Sequence, residues 1–275
     1  SNGSHVVNLK FSMVDLLRTA VKYSAAIAHT FKLNQHLKML FRDKPFDLEI
    51  SVDETETPTT PLEHFFIASE LKRLSVKFNG LALRFVGRFE KAIDYIGDIA
   101  EFKRTLRDHV LIARSMGPYK LSIHSGSDKF SIYPIIGKLV GDLLHLKTSG
   151  TSYLESLRLI ARRNPDLFRE IVKYSLSCFE ADRRTYHVSA DVSNIPDPAN
   201  VSDEDLEKIF LNERDGRQLL HVTFGSILTA KTRDGKWLFR DRIRRILIEN
   251  EEEYYQIIEN HLGRHIKALG LTAGG

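Results

Sequence analysis

The sequence predicts an α/β protein of the (β/α)8 TIM-barrel type, incomplete at the N-terminus, with about six βα units visible. Runs of alternating apolar residues recur along the 275-residue chain, separated by segments with helical spacing. No hairpin signal joins consecutive runs, which favours a parallel sheet because parallel neighbours need long crossovers. Within each run, every second residue is apolar and the residues between them are polar; we call the polar set the polar parity. This pattern is expected of strands that line a shared polar interior.

The elements follow in chain order. A long amphipathic helix is predicted over 13–41, with Val14, Leu17 and Val21 in its apolar stripe, and Pro45 ends it. Strands are predicted over 46–53, 75–83, 119–124, 143–147, 186–191 and 219–225. Thr60 and Pro61 begin the second helix as cap and first-turn proline. Further helices are predicted over 98–116, around 135–140, and over 152–162, 165–183, 238–248 and 250–269, with a short one from 202.

Composition favours one catalytic domain over residues 1–275, read as a fragment of a longer protein. The chain does not begin with Met, and residues 1–5 resemble a processing scar. The net charge of +4 is spread along the chain, which is weak evidence for nucleic acid and fits an anionic small molecule equally well. We predict a small-molecule partner and no nucleic acid. The single Cys178 excludes an intrachain disulfide and favours the cytoplasm. No run is apolar enough for membrane insertion, and the oligomeric state stays open.

The polar parity supplies most candidate site residues. Its members are Glu49, Ser51, Asp53, Lys77, Asn79, Lys120, Ser122, His124, His145, Lys147, His187, Ser189, Asp191, His221 and Thr223. Burying such groups singly would cost several kcal/mol each, roughly, so they are expected to share one interior. Lys77, Lys120 and Lys147 suit a substrate carboxylate, or alternatively structural ion pairs.

His187 and His221 belong to successive predicted strands at similar depth. Neighbouring strands lie about 4.8 Å apart, so the two imidazoles could share a divalent metal. Asp53 or the adjacent Glu54 would complete a His-His-carboxylate set, and the second acid could serve as base. The alternative is that both histidines are hydrogen-bonded strand residues and both acids are solvated or capping.

Two strand-to-helix loops add candidates for substrate binding and proton transfer. In the first, His124, Ser125, Asp128 and Lys129 offer hydroxyl, imidazole and cationic groups to an anion, although Asp128 could simply cap a helix. In the second, Glu155 follows in the first helical turn as a candidate proton donor or a helix-capping acid. No Walker loop and no GxGxxG segment is present, so no NAD is expected.

The strand ends together resemble the tagaturonate epimerases. The resemblance rests on 51–55, 58–64, 84–91, 150–155, 186–191, 220–225 and above all HSGSDKFSIYP at 124–134. It runs from about residue 46 to 263 and corresponds to the C-terminal portion of a longer family protein. It implies a hexuronate C4-epimerase that interconverts D-tagaturonate and D-fructuronate with a divalent metal, for which Mn, Ni, Zn or Fe would serve.

The resemblance also implies a role for each candidate. Glu54, His187 and His221 would be the metal ligands, with His124 in reserve. Asp53 would accept a proton and Glu155 would donate one. C4 is not acidified by the C2 ketone, so retro-aldol cleavage of C3–C4 is the expected route. The alternatives are a metal-dependent keto-sugar isomerase and a truncated, non-catalytic sugar-acid binding protein.

Overall fold

The structure is a computed structural model that describes residues 7–42 and 44–271, so residues 1–5 of the expected scar lie outside it. The chain forms two compact units that alternate along the sequence. The sheet unit comprises the described residues of 1–88, 97–124 and 134–147, and the helical unit those of 89–96, 125–133 and 148–275. The single domain over 1–275 stays a prediction.

The sheet unit contains a four-stranded parallel sheet. Its strands are β1 (Glu49–Ser51), β2 (Gly80–Ala82), β3 (Lys120–Ile123) and β4 (Leu144–Leu146). They pair in the sequential order β1-β2-β3-β4, and all three pairings are parallel. The first four predicted strands and the parallel sheet are thereby confirmed, although each strand is shorter than predicted.

The helices of the sheet unit begin where their capping residues place them. They are α1 (Met13–Phe41), α2 (Pro61–Arg73), α3 (Ile99–Met116) and α4 (Tyr133–Val140), whose first residue belongs to the helical unit. Ser12 and Thr60 each form a capping box, in which the hydroxyl and the third-position carboxylate satisfy two backbone N–H groups reciprocally. The predicted start of the second helix at Pro61 is confirmed.

In α1 the predicted apolar stripe is wrong about which face is buried. Val14, Leu17 and Val21 are exposed, whereas Tyr23 and Ile27 are buried together with the polar Thr19 and Asn34. The Tyr23 hydroxyl hydrogen-bonds the Thr59 hydroxyl at 3.1 Å. Polar anchoring to the loop before α2, more than apolar spacing, therefore sets the orientation of this helix.

The described residues of the helical unit form six helices and several short helical turns. The helices are α5 (Ser152–Arg163), α6 (Pro165–Asp182), α7 (Arg214–Val222), α8 (Phe224–Thr229), α9 (Arg240–Glu249) and α10 (Glu251–Ala268). A π-helical segment, Lys208–Asn212, precedes α7. Side chains from all of these helices except α10, among them Leu157, Phe168, Leu219, Ile227 and Ile243, are buried in one apolar core.

The strands predicted over 186–191 and 219–225 are wrong. Residues 187–191 belong to no helix or strand in the described part of the chain, and the Ser189 N–H bonds the Glu90 carboxylate at 2.9 Å. Residues 219–222 belong to α7, where Leu219, Leu220 and Val222 are buried. A short apolar run fits a buried strand and a buried helical turn equally well, so the apolar pattern at 219–225 did not distinguish the two. The observed class is α/β with a parallel sheet and mostly helical content.

No described helix has the length and apolar character that crossing a bilayer would require.

Candidate functional site

A network of acidic, imidazole and hydroxyl groups covers one face of the sheet. Glu49, in β1, is its centre: the Oε1 atom lies 2.8 Å from His124 Nε2, and Oε2 lies 2.6 Å from His145 Nδ1. The Ser122 hydroxyl also donates to Oε2 at 2.8 Å. Glu49 pairs with Gly80 in β2, which has no side chain to obstruct the carboxylate on its way to β3. The predicted polar face is confirmed for β1, β3 and β4.

The curvature of the sheet follows from these contacts. Glu49 stands in the first strand and His145 in the fourth, three strand spacings away. In a flat sheet the first and fourth strands lie roughly 14 Å apart. The side chains of Glu49 and His145 are too short to bridge that distance and still approach each other to 2.6 Å. The sheet is therefore concave toward its polar face.

Asp53 extends the network past the end of β1. Its Oδ2 atom lies 3.1 Å from His124 Nδ1, and its Oδ1 atom accepts a short hydrogen bond from Ser51. Burial alone would raise the pKa of Asp53, but the bonds from His124 and Ser51 outweigh it and lower that pKa. The Asp53 and Glu49 carboxylates together raise the pKa of His124. Glu54 follows as an exposed residue of the turn.

We predict that Glu49→Gln lowers the pKa of His124, because the imidazolium loses one of its two carboxylate partners while keeping Asp53. An NMR titration of the histidine Cε1 protons in EDTA-treated protein measures the shift. Glu101→Gln, an exposed substitution on α3, is the matched control and should leave the titration of His124 unchanged. Equal titration curves for His124 in the two variants would contradict the arrangement.

Among the described residues, the predicted substrate lysines Lys77 and Lys147 have no hydrogen bond or ion pair with this network, although the charge of Lys147 opposes the rise in the pKa of His124. In β2 the polar face is occupied by Gly80 and Ala82, so the assignment of Lys77 and Asn79 to it is wrong. Lys77 is exposed before β2 begins. Lys147 follows β4 as an exposed side chain, and its backbone N–H extends the ladder to Ile123 at 3.0 Å. Their roles in substrate binding stay predictions.

The loop at 125–129 belongs to the helical unit and is internally bonded. Ser125 and Asp128 adopt positive φ angles of 50° and 60°, a conformation that costs most residues about 1 kcal/mol or more. The Ser125 hydroxyl accepts from Lys91 Nζ at 2.7 Å, and Asp128 Oδ2 accepts from Arg217 Nη2 at 2.9 Å. Strain of this kind is typical of binding loops.

Lys129 is fully buried, and its ammonium group donates to three backbone carbonyls. The acceptors are Glu90 O at 3.0 Å, Ile93 O at 2.5 Å and Ser127 O at 2.9 Å. An ammonium group has three protons, so all of them are engaged within the protein. This geometry gives Lys129 a structural role, and its predicted contact with substrate stays a prediction.

Glu155 is buried in α5 and does not cap that helix. Its Oε2 atom accepts from Arg158 Nε at 2.8 Å. Its Oε1 atom has no hydrogen-bond partner among the described residues and lies 3.5 Å from His261 Nδ1, which also has none. A buried carboxylate oxygen without a hydrogen-bond partner is typical of a residue that contacts a ligand. This geometry is compatible with the predicted role of Glu155 as proton donor.

His187 and His221 are not strand neighbours, so the geometric argument that paired them is wrong. His187 is exposed in the segment between α6 and α7, and His221 is buried in α7. Burial, with the positive charges of Lys91 and Arg217, lowers the pKa of His221 to about 4. A neutral imidazole whose Nδ1 atom has no hydrogen-bond partner among the described residues fits a metal ligand. Ligation by Glu54, His187 and His221 stays a prediction.

A second group that could hold a metal ion consists of Asp128, His261 and His265, all buried. One ligand atom from each lies within 4.8 Å of the others. His265 Nε2 already accepts the Asp128 N–H at 3.1 Å, and His261 Nε2 hydrogen-bonds the Thr151 hydroxyl at 2.9 Å. The only signal in the sequence was the four-residue spacing of two histidines on α10, which is common on helix faces.

Three comparisons with known proteins agree. The family model described as tagaturonate epimerase matches residues 4–269. A tagaturonate/fructuronate epimerase from Thermotoga maritima is 47% identical over 261 residues, covering 95% of this chain and 52% of the relative.

Solved structures of the fructuronate-tagaturonate epimerase UxaE from Cohnella laeviribosi are similar in fold. A glycerol-complexed structure has a TM-score of 0.92 at 44% identity and covers 98% of this chain and 54% of the relative. The native structure has a TM-score of 0.87 at the same identity, with 95% and 53% covered. The chain spans about half the length of these relatives. The resemblance predicted from the strand ends is confirmed, and the chain belongs to the tagaturonate epimerase family.

Proposed function

We propose that this chain carries the C4-epimerase site that interconverts D-tagaturonate and D-fructuronate. Relatives that match 95% or more of it are named for that reaction. The observation that carries the proposal is Asp53, a carboxylate at the carboxyl end of a parallel strand, 3.1 Å from an imidazole that lowers its pKa. An ionised base beside the polar face of a concave sheet suits proton removal from a sugar hydroxyl. We place this activity in the cytoplasm.

We propose further that the sheet is part of a (β/α)8 barrel. Sequential parallel pairing in the order β1-β2-β3-β4 is the topology of such a barrel, whereas doubly wound sheets reverse their strand order. The contact between Glu49 of the first strand and His145 of the fourth supports a wall curved around a polar interior. The carboxyl ends of the strands, where barrel enzymes have their sites, carry Asp53 and His124.

A divalent metal fits the residues that the family resemblance implies. Glu54, His187 and His221 would hold it, and the neutral His221, with an imidazole nitrogen left without a partner among the described residues, supports this assignment. When bound, such an ion supplies Lewis-acid stabilisation of negative charge on the substrate oxygens. We propose that the reaction at this site uses no nicotinamide cofactor.

The proposed mechanism is retro-aldol cleavage followed by aldol addition. Asp53 takes the proton of the C4 hydroxyl, the C4–O bond becomes a carbonyl, and the C3–C4 electron pair moves toward the C2 ketone. The aldehyde rotates about its remaining bond, and the C3–C4 bond re-forms on the opposite face of the carbonyl. Glu155 donates the proton that the new C4 alkoxide requires. No net oxidation occurs, and the C4–H bond stays intact throughout.

The proposal is tested by incubating the chain with D-fructuronate and manganese or nickel and analysing products by NMR. We expect tagaturonate to form, Asp53→Asn to abolish its formation, and the exposed loop variant Glu56→Gln to retain it. Proton exchange between C1 and C2 would indicate an isomerase instead. Binding without turnover would indicate a sugar-acid binding protein. A primary isotope effect from C4-deuterated substrate would contradict the retro-aldol route.

The ligand assignment is tested separately by metal content after gel filtration. We expect His187→Ala and His221→Ala to lose bound metal, because a three-ligand site loses one donor in each. His36→Ala, on the exposed side of α1, is the control. Full metal retention in both variants would contradict the ligand assignment. It would not bear on the proton-transfer roles proposed for Asp53 and Glu155.

A further inference from the structure

A cleft of about 830 Å³ lies within the helical unit, and its lining includes neither the proposed base Asp53 nor the proposed metal ligands Glu54, His187 and His221. This volume is in the range that protein sites use for small molecules. Five arginines line it, together with the predicted proton donor Glu155 and with His261: Arg158, Arg162, Arg214, Arg217 and Arg264. The cleft therefore combines cationic groups with polar ones from α5, α7 and α10.

Among the described residues, four of these arginines have carboxylate partners and one does not. Arg158 and Arg162 share Glu207, at 2.8 Å and 2.5 Å. Arg214 pairs with Asp215 and Arg217 with Asp128, each at 2.9 Å.

Among the described residues, Arg264 has no acidic partner, and its guanidinium lies over the Phe130 ring at 5.6 Å. Stacking on an aromatic face fixes the guanidinium plane and leaves its N–H groups available at the edges. Of the described cations that line the cleft, Arg264 is thus the one that an anion can engage without breaking an existing ion pair.

The cleft also contains two buried polar atoms that have no hydrogen-bond partner in the described part of the chain. Glu155 Oε1 and His261 Nδ1 face each other at 3.5 Å, too far apart for a good hydrogen bond. Glu155 is 3% exposed and His261 is 1% exposed, so leaving both unsatisfied is costly. A hydroxyl group can donate to a carboxylate oxygen and accept from an imidazole N–H at once, which satisfies both atoms.

From this combination we infer that the cleft binds a hydroxylated carboxylic acid, with Arg264 on the carboxylate and the Glu155–His261 pair on a hydroxyl. Its identification as a hexuronate rests on the proposed function, while the anion and hydroxyl requirements rest on the cleft alone. A divalent cation at Asp128, His261 and His265 is the competing occupant. It is disfavoured because Arg217 already neutralises Asp128 and the cleft is lined with further arginines.

The test measures binding to the EDTA-treated full chain by titration calorimetry, with four probes: D-fructuronate, D-fructose, D-fructose 6-phosphate and inorganic phosphate. We expect fructuronate to bind and fructose, which lacks the charge, to bind at least tenfold more weakly. Arg264→Gln should weaken fructuronate binding about tenfold and leave fructose unaffected, since a charge-assisted bond is lost. The side chain is exposed, so the fold should be retained, and circular dichroism checks this.

Arg245→Gln on α9 is the matched control, an exposed arginine that does not line the cleft. Unchanged fructuronate binding in Arg264→Gln, equal binding of fructose, or no fructuronate binding by the unsubstituted chain overturns the inference. Tighter binding of either phosphate probe overturns the carboxylate assignment. If fructuronate binds through Arg264 but is not turned over, the proposed function fails and the inference stands.

Discussion

Lys129→Met is expected to lower the free energy of unfolding by about 3 kcal/mol at pH 7. Three carbonyls lose the buried donor that holds them, at about 1 to 3 kcal/mol each, and relief of the buried charge offsets part of that cost. Methionine matches lysine in length, so little cavity forms. Urea denaturation measures the difference. Lys173→Met, exposed on α6, should change stability little, and equal midpoints for the two variants would contradict the structural role.

The buried Lys129 also makes the free energy of unfolding depend on pH. Burial lowers the pKa of Lys129 from 10.5 to about 8, so between these values the unfolded chain binds more protons than the folded one. Stability therefore rises from pH 8 toward pH 10, by up to about 3 kcal/mol if this group acted alone. Lys129→Met should lack the rise, which makes its deficit larger at pH 9.5 than at pH 7. A constant deficit across this window would count against the shifted lysine.

Gly216→Ala is expected to destabilise the helical unit by about 3 kcal/mol, the upper range for overpacking. A β-carbon at this position in α7 would lie 2.5 Å from Ile209 O and from Phe210 Cα. Both are backbone atoms of the π-helical segment Lys208–Asn212, and neither can move aside as a flexible side chain would.

Gly263→Ala provides the control for this prediction. Gly263 also lies inside a helix, α10, and a β-carbon there would meet no heavy atom within 4 Å. Alanine favours helix over glycine by about 1 kcal/mol, so this variant should be slightly more stable. Thermal unfolding of both variants measures the contrast, and a shift of the same sign in the two would contradict the close approach at Gly216.

The fold was predictable wherever a local pattern had one interpretation. Alternation before Asp53 and around His145 identified true strands, and the Thr60-Pro61 pair located the start of α2. The pattern failed at 219–225, where the buried residues Leu219, Leu220 and Ile227 also fit helical spacing. It failed in α1 because tertiary anchoring by Tyr23, which no periodicity reveals, selected the buried face.

The candidate site was predictable only in part, because its contacts cross strands and long stretches of chain. Asp53 and His124 were both expected on the polar face, and their direct contact is consistent with that. Glu49 was recognised as polar but not as the centre of the network, since its reach depends on the glycine at position 80 of the intervening strand. His261 and Arg264 come from α10, more than 100 residues after Glu155, and the only local signal is the four-residue spacing of His261 and His265.

The outward face of α1 has a consequence for how this protein behaves in solution. Val14, Leu17 and Val21 are 53%, 58% and 86% exposed, and their spacing aligns them along one side of the helix. An aligned apolar surface favours self-association as the protein concentration rises. The apparent melting temperature and the light-scattering radius should accordingly vary with protein concentration. Unfolding measurements on this chain are therefore best extrapolated from a dilution series.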